Sequence, residues 1–422
     1  MSRRKKREKE ELKFPGSGEP IPQIRPDCRH FGDCGGCTYH NISYENQLIL
    51  KAGRVKKLID EVYDDYDFEG ILPSPVTEGY RNKMEFTFGD ETKGGPFALG
   101  LHRKGSFFDI VNINDCLICR PDINTVRNAA RDYFDECYKA GRVDFYNRKS
   151  HCGYLRHLLV RCAVKTGEIL VALVTASPES STVENEKNEA ILIQGFAEMI
   201  ENLHVDGTIA SALHITNDSL SDAVKADKVR QLFGRNYINE EVLGLRFRIS
   251  VFSFFQTNTL GSEVLYSKVR EYAAKACGTL FDLYSGTGTV AQLMAPAVDK
   301  VVGVEIVSEA VKAAEESAKL NGVKNVSFIA ADVLKALDTL PAPDSLILDP
   351  PREGVHPKAL GKILRYGVEN IVYISCKPTS LVRDLAAFKV AGYELMKVVC
   401  VDMFPATEHV ETVVLMSKVK GR

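Results

Sequence analysis

The stretch Phe281-Asp282-Leu283-Tyr284-Ser285-Gly286-Thr287-Gly288-Thr289 decides the fold. An apolar strand runs into a turn with two glycines, where the missing Cβ lets the backbone turn sharply and approach a ligand closely. Outward from it, residues 301–306 read as a second strand and 307–321 as a helix. Residues 325–329, 345–348 and 370–375 read as further strands, and strands near 393–401 and 410–416 close the chain. Strand–helix alternation from about Val251 predicts a parallel, doubly wound sheet. Residues 251–422 are therefore expected to form a Rossmann-like α/β domain.

The glycine turn is a weak signal alone, but its surroundings strengthen it. Glu305 ends the second strand, 23 residues after Asp282. An acid there is placed to accept hydrogen bonds from ribose hydroxyls. Position 291 is Ala, so the G-x-G-x-x-G pattern is incomplete. That tilts the reading from a dinucleotide to a smaller adenosyl cofactor, S-adenosylmethionine. Asp349-Pro350-Pro351-Arg352 follows the fourth strand, at the carboxyl edge where such sheets bind ligands. Asp332 is a weaker candidate for the adenine side.

Ile374-Ser375-Cys376-Lys377-Pro378 ends the fifth strand on the same edge. A single Cys is most often packing. Beside a methyl donor, with Lys after it to favour a thiolate, Cys376 suggests covalent activation of the acceptor. Carbon 5 of a pyrimidine is a poor nucleophile towards a sulfonium. Thiolate attack at carbon 6 creates an enolate with nucleophilic character at carbon 5. After methyl transfer a base must take the carbon 5 proton so that the thiolate can leave. Asp402-Met403-Phe404-Pro405-Ala406-Thr407-Glu408-His409-Val410-Glu411 offers several bases, and Glu411, at the entrance of the last apolar run, is preferred.

The first half reads differently. Residues 1–13 carry seven basic and three acidic side chains, a disordered tail or an arm for phosphates, and 14–24 are a linker. From 25 to 250 an α+β region built on antiparallel sheet is expected, with a helix over 44–62. Short alternating runs lie at 84–88, 107–113, 158–164, 169–174 and 212–216. Cys28-x5-Cys34-x2-Cys37 sits among glycines, and three thiols this close can wrap one centre. Cys116 or Cys119 could supply a fourth ligand. Four thiolates suit zinc or a 4Fe-4S cluster, and spacing leaves the two open. The pattern is not the C-x3-C-x2-C of radical enzymes.

Of the 422 residues, 45% are hydrophobic and 26% charged, which excludes a largely disordered, collagenous or disulfide-scaffold chain. The 54 basic and 56 acidic residues give a net charge of −2, so any nucleic-acid site must be a local patch. No apolar run reaches membrane-span length, and no apolar stretch follows the basic N-terminus. A cytoplasmic, monomeric protein with reduced thiols and no membrane association is expected.

These motifs together resemble the RNA 5-methyluridine methyltransferases, in particular the iron–sulfur branch that modifies 23S ribosomal RNA. The resemblance covers nearly the whole chain from Cys28 to Met416. It implies S-adenosylmethionine-dependent methylation of carbon 5 of a uridine through a covalent Cys–uracil adduct, with ribosomal RNA as the expected partner and transfer RNA as the alternative. It implies a 4Fe-4S cluster on Cys28, Cys34, Cys37 and Cys116, selecting Cys116 over Cys119 because the family's fourth ligand follows a strand like residues 108–115. The family's cofactor-binding Gln falls on Gln256, the aromatic position of its glycine turn on Tyr284, its acidic ribose ligand on Glu305 and the Asp of its D-P-P motif on Asp349. The S-C-x-P nucleophile motif falls on Cys376, and F-P-x-T-x-H-x-E ends on Glu411. Two departures stand out. Only 27 residues precede Cys28, so the OB-like domain of many members is not expected, and Ala406 stands where His often follows F-P. Arg81, Lys83, His102, Arg103 and Lys104 are candidate phosphate contacts. The rivals are DNA cytosine methylation, which would want Pro-Cys on an earlier loop, and a non-catalytic zinc and RNA-binding module.

Overall fold

The computed structural model describes residues 12–178, 183, 186–220 and 226–419. Most of the basic arm, residues 1–11, lies outside them.

The chain opens with α1 (Tyr44–Ile59) and β1 (Asp67–Leu72). Then come β2 (Lys83–Asp90), β3 (Phe97–His102), β4 (Ile110–Asn112), α2 (Pro121–Lys139), β5 (Leu155–Cys162), β6 (Glu168–Thr175), α3 (Glu186–Glu201), β7 (Thr208–Thr216) and β8 (Lys228–Gly234). Strands β2 to β8 form a seven-stranded sheet in the order β4-β3-β2-β5-β6-β7-β8. The expected antiparallel sheet is in fact mixed, because β6 and β7 run parallel. A parallel pair needs a crossover, and α3 supplies it. Strand β6 is buried on both faces: Ile169, Val171 and Leu173 pack with Phe134 and Phe196 of α2 and α3, while Leu170, Ala172 and Val174 point into the core on the opposite face. This explains why 169–174 reads as an unbroken apolar run.

A hairpin of β9 (Tyr237–Val242) and β10 (Leu245–Ser250) follows. The second unit holds α4 (Thr259–Tyr272), β11 (Thr279–Leu283), α5 (Thr289–Met294), β12 (Lys300–Glu305), α6 (Ser308–Leu320), β13 (Val326–Ala330), α7 (Val333–Ala336), β14 (Ser345–Leu348), α8 (Pro357–Tyr366), β15 (Asn370–Ser375), α9 (Pro378–Val390), β16 (Tyr393–Val401) and β17 (Glu411–Lys418). Its eight-stranded sheet has the order β1-β16-β17-β15-β14-β11-β12-β13. All neighbours are parallel except β17, which runs antiparallel between β15 and β16. Strand β1 crosses the boundary expected near residue 250. It pairs with β16, and Val55 and Ile59 of α1 join the same core as Phe388 and Val398. The two sheets also share a core, in which Leu170 and Leu213 pack with Phe247, Leu265, Leu280 and Val372. Among the described residues no helix is long and apolar enough to cross a membrane.

Candidate functional site

Register alone brings the site together. Leu283 lies opposite both Val304 and Leu348, so the next residues, Tyr284, Glu305 and Asp349, emerge side by side at the carboxyl edge. Ser375 pairs with Thr412 across the antiparallel β15–β17 ladder, so Cys376 and Glu411 are the next facing positions. All of them, with Gln256, line one cavity of about 1060 Å³.

The glycine turn needs its glycines. Gly286 and Gly288 have φ of 52° and 73°, and a Cβ on Gly288 would lie 2.5 Å from the Phe328 ring. Tyr284 takes a left-handed φ of 69° without being glycine. Such a conformation costs about 1–2 kcal/mol and concentrates at sites where chain direction matters. The Glu305 carboxylate accepts from the backbone N–H of Gly286 at 3.0 Å and of Val307 at 2.9 Å. It is thereby fixed facing the cavity, with lone pairs left for another donor.

The cavity is short of positive charge. Burial pushes Asp349 up to about 7. Burial, then repulsion from Asp349, raises Glu411 to about 8, with Arg352 opposing. Asp282 goes up to about 8 for the same two reasons. Both its oxygens are buried without a hydrogen-bond partner among the described residues, and the nearby Ala291 N–H only partly opposes the shift. Burial, then Glu411 and Asp349, raises Cys376 to about 11, again against Arg352. A cationic ligand would lower all four, because opposite charge favours the ionised form. Cys376 and Arg352 also line a smaller cavity of about 210 Å³ with Arg54, Lys377 and His409, so the thiol is reached from a second, cation-rich side.

The loop before Glu411 is held by the first part of the chain. Lys51 of α1 donates to Asp402 at 2.6 Å and to the Phe404 carbonyl at 2.9 Å, and the side chains of Lys51 and Asp402 are fully buried. Ala406 donates to Gln47 at 2.7 Å and accepts from the N–H groups of Thr38 and Tyr39, both at 2.9 Å. Tyr80 donates to the Pro405 carbonyl at 3.0 Å. These contacts hold Ala406 at a φ of 64°, unusual for a residue with a Cβ.

Cys28, Cys34, Cys37 and Cys116 line a second cavity, of about 380 Å³, with Gly35, Gly36, Arg81 and His102. Burial first and then neighbouring thiols raise Cys28 and Cys34, and Cys37 reaches about 12 through burial and then Cys116, Cys34 and Cys28. Cys116 is the exception in direction. It is lowered to about 6, first by hydrogen bonding with Cys119. Cys119 is buried in the α2 core instead, its thiol directed at Asn124 Oδ1 and the Cys116 carbonyl. Among the described residues no group of three or more His, Cys, Asp or Glu side chains is arranged to hold a metal ion.

The other sequence candidates divide. Asp332 caps α7 through Leu334 N–H at 2.7 Å and is not among the residues lining the large cavity. Arg81 and His102 face the thiol cavity, whereas Lys104 is exposed. Lys83 is lowered to about 8 by burial and Arg161. Sequence reading did not name Tyr266 or the exposed Phe254, which also line the large cavity, and it used Asp282 only as a landmark. Tyr266 sits within the influence of Asp349, Glu411 and Asp282. Its signal was weak, because a lone Tyr on α4 reads as core.

With this geometry in place, comparisons with known proteins become specific. A family model described as tRNA (Uracil-5-)-methyltransferase matches residues 220–340 and 334–419. An uncharacterized RNA methyltransferase of Caldanaerobacter subterraneus subsp. tengcongensis is 46% identical over 399 residues, 94% of this chain and 85% of that protein. Another, from Clostridium acetobutylicum, is 45% identical over 417 residues, 98% of this chain and 88% of that one. The crystal structure of Pyrococcus abyssi tRNA (uracil-54, C5)-methyltransferase in complex with S-adenosyl-L-homocysteine aligns with a TM-score of 0.70 at 25% identity, over 91% of this chain and 86% of that one. Likeness across both sheets, in sequence and in fold, leaves one assignment: the chain is an RNA methyltransferase and belongs to the uracil-5-methyltransferase family.

Proposed function

We propose that this RNA methyltransferase modifies carbon 5 of a uridine through a covalent adduct on Cys376, with Glu411 as the base. One observation carries the reading. The β15–β17 register makes Cys376 and Glu411 neighbours in the cavity that also holds the glycine turn, Glu305 and Asp349. S-adenosylmethionine suits that cavity: the partnerless Asp282 and buried Asp349 would hold its cationic end, and the fixed Glu305 carboxylate would hold its ribose. When bound it supplies the methyl group. Gln256 and Tyr284 line the same wall and complete the cofactor site.

The Cys376 thiolate attacks carbon 6 of the uracil, forming the C–S bond and moving the electron pair towards carbon 5 and the carbonyl. Once carbon 5 carries the methyl group, Glu411 takes its remaining proton. The C–S bond then breaks and the thiolate leaves as the ring double bond re-forms. Arg352 favours the ionised forms of both residues. The target base has to leave any helical stack to reach this half-buried thiol at the cavity wall.

Cys28, Cys34, Cys37 and Cys116 line one cavity and would hold a 4Fe-4S cluster, which takes four thiolates. Its role is to tie the loop 28–37 to the Cys116 loop, because methyl transfer needs no net electron flow. Ribosomal RNA, 23S, is the proposed substrate, on the strength of this four-thiol centre. Transfer RNA is the second reading, favoured by the likeness to the Pyrococcus abyssi enzyme. Mapping 5-methyluridine in both RNAs from cells with and without the gene tests this. Loss of a ribosomal site supports the proposal, loss of a transfer-RNA site selects the second reading, and no loss overturns both.

A further inference from the structure

Beside the thiol cavity, which His102 lines, the loop after β3 carries two exposed aromatic rings. Phe107 is 80% exposed and Phe108 51%. Leaving Phe in water forgoes the stabilisation that burial normally brings. The loop is nevertheless built. The Ser106 hydroxyl accepts from Phe108 N at 3.3 Å and Asp109 N at 3.2 Å, and Arg103 N donates to the Asp109 carbonyl at 2.8 Å. A second loop, closed by the Asn147–Cys152 bridge, braces it from the side. Arg148 donates to the Phe107 carbonyl at 3.1 Å, and the Lys149 ammonium lies 4.5 Å over the Phe108 ring.

Segments 102–109 and 147–152 together hold four Lys or Arg residues and one Asp, in a chain whose net charge is −2. Asp33 lies 3.6 Å from Arg103, and Arg148 also meets His102 Nε2 at 3.0 Å. Among the described residues neither another ring nor a cation stacks on Phe107. Exposed π-faces set among cations are how proteins hold unpaired nucleotides, whose bases stack while phosphates meet Lys and Arg. A protein interface would be depleted in lysine, whereas Lys104 and Lys149 flank these rings.

We propose that Phe107 and Phe108 form a stacking platform for unpaired nucleotides of the RNA substrate flanking the target, with Lys104, Arg148 and Lys149 taking the adjoining phosphates. This rests on RNA being the substrate but not on the methylation chemistry, so the two are tested apart. Fluorescence anisotropy of the full chain is measured with a short single-stranded RNA of mixed sequence and with its duplex. Phe107→Ala should weaken single-strand binding roughly five- to 150-fold, the scale of one lost base stack, and change duplex binding less than twofold. Phe107→Trp should restore it, whereas Phe107→Leu, which keeps an apolar side chain without a π-face, should not. Lys104→Ala and Lys149→Ala should each reduce the single-strand salt slope by about 0.7. Unchanged calorimetric binding of S-adenosylhomocysteine shows each variant folded. Equal loss on both RNAs, rescue by Leu, or no loss at all overturns the platform. Failure of the wild-type chain to transfer labelled methyl to RNA would sink the methylation reading while leaving a positive binding result intact.

Discussion

Cys376 and Cys37 present the same physical problem in two surroundings. Burial raises both, to about 11 and about 12. Around Cys376 the further repulsion comes from the carboxylates Glu411 and Asp349, while around Cys37 it comes from three other thiols. Each cavity therefore disfavours the ionised thiol, and a positive partner would favour it. For a lone thiol among acids the partner has to be transient, because the thiol must remain free to attack and leave. For four thiols in one cavity it can be permanent. The difference separates a nucleophile from a ligand set more sharply than the pKa of either cysteine does.

The comparison breaks if one thiol can stand in for the other. Cys376→Ala should reduce methyl transfer to background and abolish any denaturation-resistant RNA–protein band, while iron and sulfide content stay as in the wild type. Cys116→Ser should do the converse, stripping iron and sulfide but sparing binding of S-adenosylhomocysteine. Cys119→Ser should retain the metal, since that thiol packs with α2 rather than facing the cavity. Iron surviving Cys116→Ser, or methylation surviving Cys376→Ala, would show that the two roles have been misassigned.

Next in size is the base. Glu411→Gln should slow turnover by about 10²–10⁴, the usual contribution of a positioned base, and accumulate methylated RNA joined to Cys376. The pH profile sharpens the point. Both groups act in their deprotonated forms and both are raised, Glu411 to about 8 and Cys376 to about 11. Activity of the wild type should therefore climb as pH rises through 8. The inflection near 8 should be missing from the residual rate of Glu411→Gln. A profile flat from pH 6 to 9 would mean that bound ligands have already lowered both groups.

The methyl-transfer half was legible because its signals are local. Strand–helix alternation and the residues just past each strand end are written consecutively, and the register of a sheet then assembles them without further information. The four thiols were legible for the same reason, up to the choice between Cys116 and Cys119, which spacing leaves open; Cys116 lines the thiol cavity and Cys119 does not. What escaped depends on partners far along the chain. Residues 67–72 show no strand alternation, and β1 becomes a strand by pairing with β16, whose register places Asp67 opposite Lys397. In α1 the sequence points to an apolar stripe through Leu48, Val55, Leu58 and Ile59, and Val55 and Ile59 are indeed buried while Leu48 and Leu58 are half-buried. The structure also buries Gln47 and Lys51, polar residues that hold the 402–406 loop.

That hold links the two regions and yields the third prediction. Lys51→Met leaves the Asp402 carboxylate buried without its cation, so the chain should lose about 3–5 kcal/mol of stability. The 402–406 loop leads to Glu411, so the variant should also lower kcat more than it raises the KM for cofactor. Denaturant unfolding and steady-state kinetics read the two effects. The double variant Lys51→Met, Asp402→Leu should recover much of the stability, because an apolar pair can replace a buried ion pair. If kcat recovers as fully as stability does, the pair supports folding only and does not position the base.

The smallest effect expected is at the ribose. Glu305 spends one lone pair on each of two backbone N–H groups, Gly286 and Val307, which fixes the carboxylate and leaves acceptor capacity for hydroxyl donors. Glu305→Ala should weaken S-adenosylhomocysteine binding by about 1.5–3 kcal/mol, the scale of charge-assisted hydrogen bonds. It should leave iron content untouched, since the thiol cavity shares no lining residue with this edge. Glu305→Gln discriminates between the two things the carboxylate does. The amide oxygen can still accept from one backbone N–H, but its NH2 group faces the other donor, so the turn is only half restrained. Calorimetry should therefore place Gln between wild type and Ala. Binding by Gln equal to wild type would mean that the negative charge contributes nothing. Unchanged affinity in Ala would move the ribose away from this strand end, and with it the orientation of the cofactor relative to Cys376.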